Sequence, residues 1–166
     1  MTVPADRRVE LARKLLGAID VVPVRAEDAP AVPQPAGQGT GPRVLVIDDD
    51  STVCDLIVTA LSKDHIVYRA SDGKSGLDLL RRLPSVDVVV CDIMMPTMDG
   101  YSVAKAIKAD PRLRSIPIVF LTARAAAMDH VAGMQAGAHL YLTKPFKIRD
   151  LCAAVARACR PAETRR

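Results

Sequence analysis

The sequence predicts an α/β fold, a doubly wound parallel sheet of five strands with five helices. Two observations lead to this prediction. Five apolar, strand-like runs alternate with helical patterns after residue 42, which is typical of a parallel sheet covered on both faces. The first, third and fourth runs are almost wholly apolar, and the second is more mixed. An almost wholly apolar run is typical of a strand buried on both faces, whereas a mixed run is typical of an edge strand.

The predicted elements follow one another at regular spacing. Strands are expected at Val44–Ile47, Ile66–Arg69, Val86–Cys91, Ile116–Leu121 and His139–Leu142. Helices are expected over residues 52–63, 74–83, 101–109, 125–135 and 148–160. Connections between parallel strands are right-handed, and a sheet of this kind binds its ligands beyond the carboxyl ends of its strands.

The composition of the chain changes near residue 42. The first 42 residues hold six of the twelve prolines and four of the nine glycines, and their five basic and five acidic side chains cancel. Apolar residues at helical spacing predict a short amphipathic helix over residues 5–20. We expect a helical extension at 1–20, a Pro- and Gly-rich linker at 21–42, one domain at 43–160 and a C-terminal tail at 161–166. The extension is either an inert appendage or a contact with a partner, a second copy or the domain itself.

The formal net charge of +4 and the pI of about 9.0 raise the question of a nucleic-acid partner. The basic residues are spread along helix patterns and the C-terminal end, mainly at Arg81-Arg82, Lys105, Lys108, Arg112, Arg114, Arg157, Arg160 and Arg165-Arg166. Such spread charges are typical of solvated helix faces, and no helix-turn-helix pattern follows residue 160. An aromatic content of 3% argues against stacking platforms for single strands. We therefore expect no direct nucleic-acid contact.

Other features argue against a membrane, secreted or metal–thiolate protein. No apolar run approaches the roughly 18 residues that a membrane span needs. Acidic residues interrupt the N-terminal apolar pattern, unlike a secretory signal. The four cysteines show no CxxC spacing, so we expect reduced thiols that pack as small apolar residues. These features predict a cytoplasmic protein with no membrane span.

Polar side chains follow four of the predicted strands. The first strand ends in Asp48-Asp49-Asp50, the third in Asp92, the fourth in Thr122, and the fifth leads through Thr143 to Lys144. The carboxyl ends of parallel strands meet at one edge of the sheet, so carboxylates, a hydroxyl and an ammonium group are expected together there.

This set of groups is suited to phosphoryl chemistry. Crowded carboxylates raise one another's pKa unless a cation intervenes, and Mg²⁺ bound by carboxylates, water and a phosphate oxygen removes that conflict. Lys144 supplies a compact positive charge, and the Thr122 hydroxyl can donate to an anionic oxygen. The pattern indicates a carboxylate nucleophile, a metal and two donors directed at a phosphoryl group.

Residues 43–160 resemble a receiver domain of a two-component response regulator. The resemblance lies in VLVIDDDSTV at 44–53, DVVVCDIMMPTMDGYSV at 87–103, IPIVFLTA at 116–123 and AGAHLYLTKPF at 136–146. It implies a flavodoxin-like sheet with strand order 2-1-3-4-5. It also implies a signalling protein that is switched by phosphorylation, rather than a conventional enzyme. Such a protein accepts its phosphoryl group from a histidine kinase or a histidine phosphotransfer protein.

The resemblance assigns roles to individual residues. Asp92 matches the phosphoacceptor, and Lys144 matches the lysine that binds the phosphoryl oxygen. Asp48 and Asp49 match the acidic pair that holds Mg²⁺, and Asp92 and the backbone carbonyl of Met94 complete that ligand set. The bond before Pro145 matches a position where the family commonly has a cis peptide. The remaining implied pair, Thr122 and Tyr141, forms the switch in which the hydroxyl moves toward the phosphoryl group and the ring turns inward.

Two positions of the resemblance bear on the lifetime of the acyl phosphate. Met94 lies two residues beyond the phosphoacceptor, and Arg124 lies two residues beyond Thr122. In the family such positions influence how water reaches the phosphoryl group. Because a thioether cannot orient an attacking water as an amide or carboxylate can, we expect slow self-dephosphorylation.

Two alternatives to a phosphorylated receiver remain open from the sequence. Asp48-Asp49-Asp50-Ser51-Thr52 fits the DxDxT motif of a haloacid-dehalogenase-type phosphatase, with Asp48 as nucleophile and Asp50 as general acid. That reading leaves Asp92 and the MPTMDG turn unexplained. The second alternative is a receiver-shaped binding module that is never phosphorylated.

The expected partners are proteins. They are a sensor histidine kinase or phosphotransfer protein as donor, and a downstream protein target that recognises the phosphorylated surface. A homodimer is a further expected form.

Overall fold

A computed structural model describes residues 33–123 and 140–160 of the chain. The predicted helices over 5–20 and 125–135 and the tail at 161–166 lie outside the described residues. The strands are β1 (Gly37–Gln38), β2 (Arg43–Ile47), β3 (Ile66–Ala70), β4 (Val88–Asp92), β5 (Ile118–Ala123) and β6 (Leu140–Lys144). The helices are α1 (Ser51–Leu61), α2 (Gly73–Arg82), α3 (Gly100–Ala109) and α4 (Ile148–Cys159).

The predicted parallel sheet is confirmed. Its strands lie in the order β3-β2-β4-β5-β6, and each neighbouring pair is parallel. Numbered among the five parallel strands alone, this is the order 2-1-3-4-5. The switch point lies between β2 and β4, so ligands are expected beyond the carboxyl ends of these two strands.

A short sixth strand adds to the predicted sheet. Within the predicted linker, β1 pairs antiparallel with β3, with Gly37 opposite Val67 and Gln38 opposite Ile66. The Ala36 amide also donates to the Val67 carbonyl over 2.7 Å. The described end of the linker is therefore part of the folded sheet, and β3 is not its outermost strand.

Glycines allow this segment to approach the α1–β3 turn closely. A Cβ atom at Gly39 would overlap the backbone of His65, and one at Gly41 would overlap the carbonyl of Asp64. One at Gly37 would overlap the side chain of Ser62. Only a residue without a side chain permits such an approach between two backbones.

The sheet separates two apolar clusters, because successive strand residues point to opposite faces. On one face, Leu45 and Ile47 of β2 pack with buried residues of α2 and α3. On the other face, Val44 and Val46 pack with buried residues of α1 and α4. These four residues of β2 are fully buried. Both faces of the central strands are thus covered, as the apolar runs predict.

Aspartates begin three of the helices. Asp50, Asp72 and Asp99 precede α1, α2 and α3, and each carboxylate accepts a hydrogen bond from a backbone amide of the first turn. These caps satisfy amides that the helix leaves without partners. Among the described residues, no helix is long and apolar enough to cross a bilayer.

Candidate functional site

Four of the predicted site residues meet at the carboxyl end of the sheet. Asp48 and Asp49 follow β2, Asp92 ends β4, and Lys144 ends β6. One carboxylate oxygen from each of the three aspartates lies within 4.8 Å of the others. Lys144 Nζ lies 2.9 Å from Asp48 Oδ2 and 3.0 Å from Asp92 Oδ1. The fold thus gathers one ammonium group and three carboxylates from three strands.

Hydrogen bonds hold the backbone and the side chain of Asp48 in place. Its residue is 1% exposed, its Oδ2 accepts from Lys144, and its Oδ1 accepts the amide of Asp50 over 2.9 Å. Its own amide donates to the Ala70 carbonyl of β3 over 3.2 Å. A buried carboxylate needs such partners, and here they fix which way its oxygens point.

Asp92 is a second buried carboxylate of the site. The residue is 4% exposed, and burial raises the pKa of its carboxyl group. The hydrogen bond and charge of Lys144 oppose this rise, whereas the neighbouring carboxylates of Asp48 and Asp49 add to it. Asp92 thus offers a carboxylate oxygen as a nucleophile. Its pKa is raised, and the ammonium group of Lys144 balances its negative charge.

Lys144 keeps its proton at the site. Burial alone would lower its pKa, but the hydrogen bonds to Asp48 and Asp92 outweigh burial, and the pKa of Lys144 is raised. The Lys144–Pro145 peptide bond is cis, as the resemblance implies.

The third aspartate of the DDD run has a different task. Asp50 Oδ1 accepts the amides of Thr52 and Val53 at 2.8 and 3.3 Å, so its side chain caps α1. The side chain of Asp49 is exposed beside the buried Asp48. Three consecutive identical residues are therefore divided into two site carboxylates and one helix cap.

The predicted switch residues lie on the adjacent strands. Thr122 of β5 is fully buried, and its hydroxyl donates to the Ala123 carbonyl over 3.1 Å. On β6, the half-buried Tyr141 lies opposite Phe120 with ring centroids 5.5 Å apart. Phe120 also makes an edge contact with Tyr101 of α3, at 5.3 Å. The aromatic contacts connect the β6 side of the sheet to α3.

The β4–α3 loop begins directly after Asp92 and contains Met94 and Thr97. Met94 is 67% exposed, whereas the following Met95 is buried. Thr97 has a φ of 70°, a conformation that β-branched residues rarely adopt. Gly100 closes the loop, since its amide donates to the Ile93 carbonyl over 3.0 Å and a Cβ there would lie 2.9 Å from Ile93 Cα.

The donor set fits a hard divalent cation. All three carboxylates offer oxygen ligands, which Mg²⁺ prefers. With Lys144 in contact with two of the aspartates, one positive and three negative formal charges leave two negative charges to balance. A divalent cation meets that balance. Asp48, Asp49 and Asp92 are the residues that would hold it.

Sequence reasoning missed two features that shape this site. Gly100 lets α3 begin in close contact with the backbone at Asp92 and Ile93. The Asp99-Gly100 pair in the sequence could have indicated this turn. Cys54 of α1 donates its thiol to the Asp48 carbonyl over 3.4 Å, and the sequence carried no signal for this contact.

The family model of the response regulator receiver domain matches residues 44–156 of this chain. The chain belongs to the response regulator receiver family. Receiver domains act in two-component signalling, and phosphorylation is inherent to that family. The resemblance read from the motifs at the four strand ends is thereby confirmed.

Curated relatives share this receiver segment. The DNA-binding dual master transcriptional regulator RpaA of Synechocystis is 37% identical over 115 residues, which cover 69% of this chain and 47% of RpaA. The uncharacterized transcriptional regulatory protein YrkP of Bacillus subtilis is 40% identical over 114 residues, which cover 68% and 47%. The matched segment thus spans about half the length of these relatives.

Solved structures share the fold. A response regulator receiver domain protein of Clostridium thermocellum superposes with a TM-score of 0.66 at 31% identity, covering 71% of this chain and 94% of that structure. The chemotaxis protein CheY4 of Vibrio cholerae gives 0.67 at 27% identity, covering 71% and 98%.

One prediction about partners is wrong. The expectation of no direct nucleic-acid contact conflicts with the relatives, which are named as transcriptional regulators, RpaA among them as DNA-binding. The charges behind that expectation all lie in this chain, and the matched receiver segment corresponds to about half of RpaA or YrkP. Scattered charges on a receiver say little about the rest of such a regulator.

Proposed function

We propose that this receiver accepts a phosphoryl group on Asp92 from a phosphohistidine donor, with Mg²⁺ at the acidic cluster, and that phosphorylation switches a protein-binding surface. The observation that carries the proposal is the contact of the buried Asp92 with Lys144, beside Asp48 and Asp49. A sensor kinase or a phosphotransfer protein would be the donor. The cytoplasm stays the predicted location.

The proposed step forms one bond and breaks another. A carboxylate oxygen of Asp92 bonds to phosphorus as the bond from phosphorus to the histidine nitrogen breaks. The nitrogen leaves with the bonding electron pair, and a proton already on the other ring nitrogen makes the leaving group neutral imidazole. Bound Mg²⁺ would neutralise charge on the transferring oxygens. The proton that Lys144 holds lets its ammonium group stabilise the same charge at Asp92.

The switch follows from the new charge. An acyl phosphate on Asp92 adds about −1.5 to −2 charge and three acceptor oxygens. Lys144 is already in contact with Asp92, so the remaining rearrangement falls to Thr122, whose hydroxyl now donates to the Ala123 carbonyl. A new hydrogen bond from Thr122 would favour the conformation that makes it. The Tyr141–Phe120–Tyr101 ring contacts offer a route for that change.

The geometry favours Asp92 over Asp48 as nucleophile. In the phosphatase alternative, Asp48 would attack and Asp50 would donate a proton. Both Asp48 oxygens accept hydrogen bonds, from Lys144 and from the Asp50 amide. The Asp50 carboxylate caps α1, which is a structural task. Those contacts leave Asp92 as the better candidate for attack.

A phosphotransfer assay tests the proposal. The wild type, Asp92→Asn and Asp48→Asn are incubated with a labelled histidine kinase in Mg²⁺, with Asp64→Asn as a control on an exposed turn. The expected label appears on the wild type and Asp64→Asn, is absent from Asp92→Asn and is reduced in Asp48→Asn or EDTA. Label that survives Asp92→Asn and is lost with Asp48→Asn supports the phosphatase. No transfer to the wild type from any tested donor supports the unphosphorylated module.

Control of transcription is the second candidate function. Its support is the set of four curated relatives that are named as transcriptional regulators. A gel-shift assay at two salt concentrations, with and without phosphorylation, tests whether this chain itself binds DNA. Binding that weakens with salt, as phosphate contacts require, supports this candidate, and no shift under either condition argues against direct binding.

A further inference from the structure

A buried thiol contacts the backbone of the acidic cluster. Cys54 Sγ lies 3.4 Å from the carbonyl oxygen of Asp48, and the Cys54 residue is 2% exposed. The amide of Cys54 donates to the Asp50 carbonyl over 3.0 Å as the first turn of α1 forms. Cys54 thus connects the first turn of α1 with the carboxyl end of β2.

This contact completes the set of hydrogen bonds around Asp48. The Asp48 amide and both carboxylate oxygens already have partners in Ala70, Asp50 and Lys144. The thiol supplies a donor to the fourth polar group of the residue, its carbonyl oxygen. A thiol is a weak donor, but in a buried setting an acceptor that loses its partner is costly.

The same contact occurs on the opposite face of the sheet. Cys91 Sγ lies 3.3 Å from the carbonyl of Asp92, and Cys91 is fully buried in the cluster formed with α2 and α3. Cys54 lies in the cluster formed with α1 and α4. Two site aspartates therefore receive a thiol hydrogen bond, each from a different face.

We propose that Cys54 is a positioning residue for Asp48, which holds the strand end so that the Asp48 carboxylate keeps its orientation toward the metal. The inference rests on the proposed function, because it assigns Cys54 to the Mg²⁺ site. It differs from packing alone, since packing requires the volume of the side chain and positioning requires the S–H donor.

Three substitutions separate the donor from the volume. Cys54→Val removes the donor and keeps an apolar, helix-compatible side chain, whereas Cys54→Ser keeps a donor. Cys152→Val is the matched control, because Cys152 packs from α4 against the same apolar cluster. Thermal unfolding of each variant shows whether the fold is retained.

The first measurement is the Mg²⁺ affinity of the full chain, which is determined from the shifts of its amide NMR signals. Cys54→Val loses one hydrogen bond from a weak donor. We therefore expect its Mg²⁺ affinity to be about two- to fivefold lower than that of the wild type. Affinities within about twofold of wild type are expected for Cys54→Ser and Cys152→Val, since neither loses the donor at Asp48. Equal affinity in the wild type and Cys54→Val, or an equal loss in Cys152→Val, overturns the inference.

The second measurement is the infrared S–H stretching band, assigned by subtracting the spectrum of each Cys→Val variant. The Cys54 band is expected to shift on Mg²⁺ addition, because the acceptor belongs to a metal-binding residue, and the Cys152 band is expected to stay. A Cys54 band that does not respond to saturating Mg²⁺ overturns the positioning role and leaves the metal site intact. A wild type that shows no Mg²⁺ saturation overturns the metal site itself, and this inference with it.

Discussion

Lys144 Nζ lies 3.0 Å from Asp92 Oδ1, although β6 and β4, which carry these residues, are not neighbours in the sheet. β5 separates them, so the lysine side chain extends across the end of one strand. The side chain of Lys144 is 26% exposed and that of Asp92 is 6% exposed. Because the pair is largely shielded from water, its charges interact more strongly than a surface pair.

Removing this lysine is expected to destabilise the metal-free protein. In Lys144→Ala, two buried carboxylates lose their ammonium partner, and we expect a loss of about 1–3 kcal/mol in the free energy of unfolding. Mg²⁺ should restore part of that loss, because the cation replaces the missing positive charge. Denaturant unfolding in EDTA and in Mg²⁺ measures both effects. Lys147→Ala, at an exposed position, serves as the control, and an equal loss there would contradict this account.

The Asp72 cap of α2 predicts a pH dependence of stability. Hydrogen bonds from the amide and hydroxyl of Ser75 lower the pKa of Asp72 below its ordinary value of 3.8. A lowered pKa in the folded state stabilises the fold above the ordinary pKa, and this contribution is lost as the pH falls through the folded value. We expect Asp72→Ala to cost about 1 kcal/mol at pH 7, and less near pH 2.

Chemical unfolding of Asp72→Ala across this pH range measures the effect. The control is Asp78→Ala, an exposed residue of the same helix that pairs with Arg81 and should cost only a few tenths of a kcal/mol. A cost of Asp72→Ala that does not change between pH 7 and pH 2 would show that the charge of the cap is irrelevant.

The close approach at Gly39 predicts that a side chain there detaches β1. Gly39→Val would place a side chain in the backbone of His65, and we expect a loss of about 1–3 kcal/mol. Hydrogen exchange of the Ala36 amide should become faster, because its bond to the Val67 carbonyl is lost. Thr40→Ala, at an exposed neighbour, should leave exchange unchanged. Retained protection of Ala36 in Gly39→Val would refute the role of β1.

The exposed Met94 predicts a long-lived acyl phosphate. Its thioether cannot orient an attacking water, so the half-life of the purified phosphoprotein is expected to exceed minutes. Met94→Asn should shorten it several-fold by supplying a polar group. Loss of label over time measures both proteins, and a wild-type half-life of seconds contradicts the prediction. The companion position, Arg124, lies outside the described residues.

The sheet could be predicted from its sequence because burial on both faces leaves apolar runs in the central strands. The third and fourth runs were expected to begin at Val86 and Ile116, but β4 and β5 begin at Val88 and Ile118. Val86 and Ile116 are buried loop residues, and apolarity alone does not separate a strand from a buried loop. β1 was not predicted, because two residues of a Pro- and Gly-rich segment carry no strand pattern.

The site could be predicted in part. Polar residues at the ends of buried strands are visible in a sequence, and Asp48, Asp92 and Lys144 do meet. The residue types alone could not separate the tasks of Asp49 and Asp50, because a cap and a site carboxylate look alike before the backbone is known. Only the family resemblance assigned Asp49, and not Asp50, to the metal site. The thiol contact of Cys54 depends on the angle at which α1 leaves β2, which no local pattern encodes.

The central claim is that Asp92 carries the phosphoryl group. The most direct test is to phosphorylate the full chain with a histidine kinase and Mg²⁺, reduce the acyl phosphate with borohydride and locate the modified residue by mass spectrometry. The account predicts modification at Asp92 in the wild type and none in Asp92→Asn. Modification at Asp48, or at Asp49 or Asp50, would contradict it.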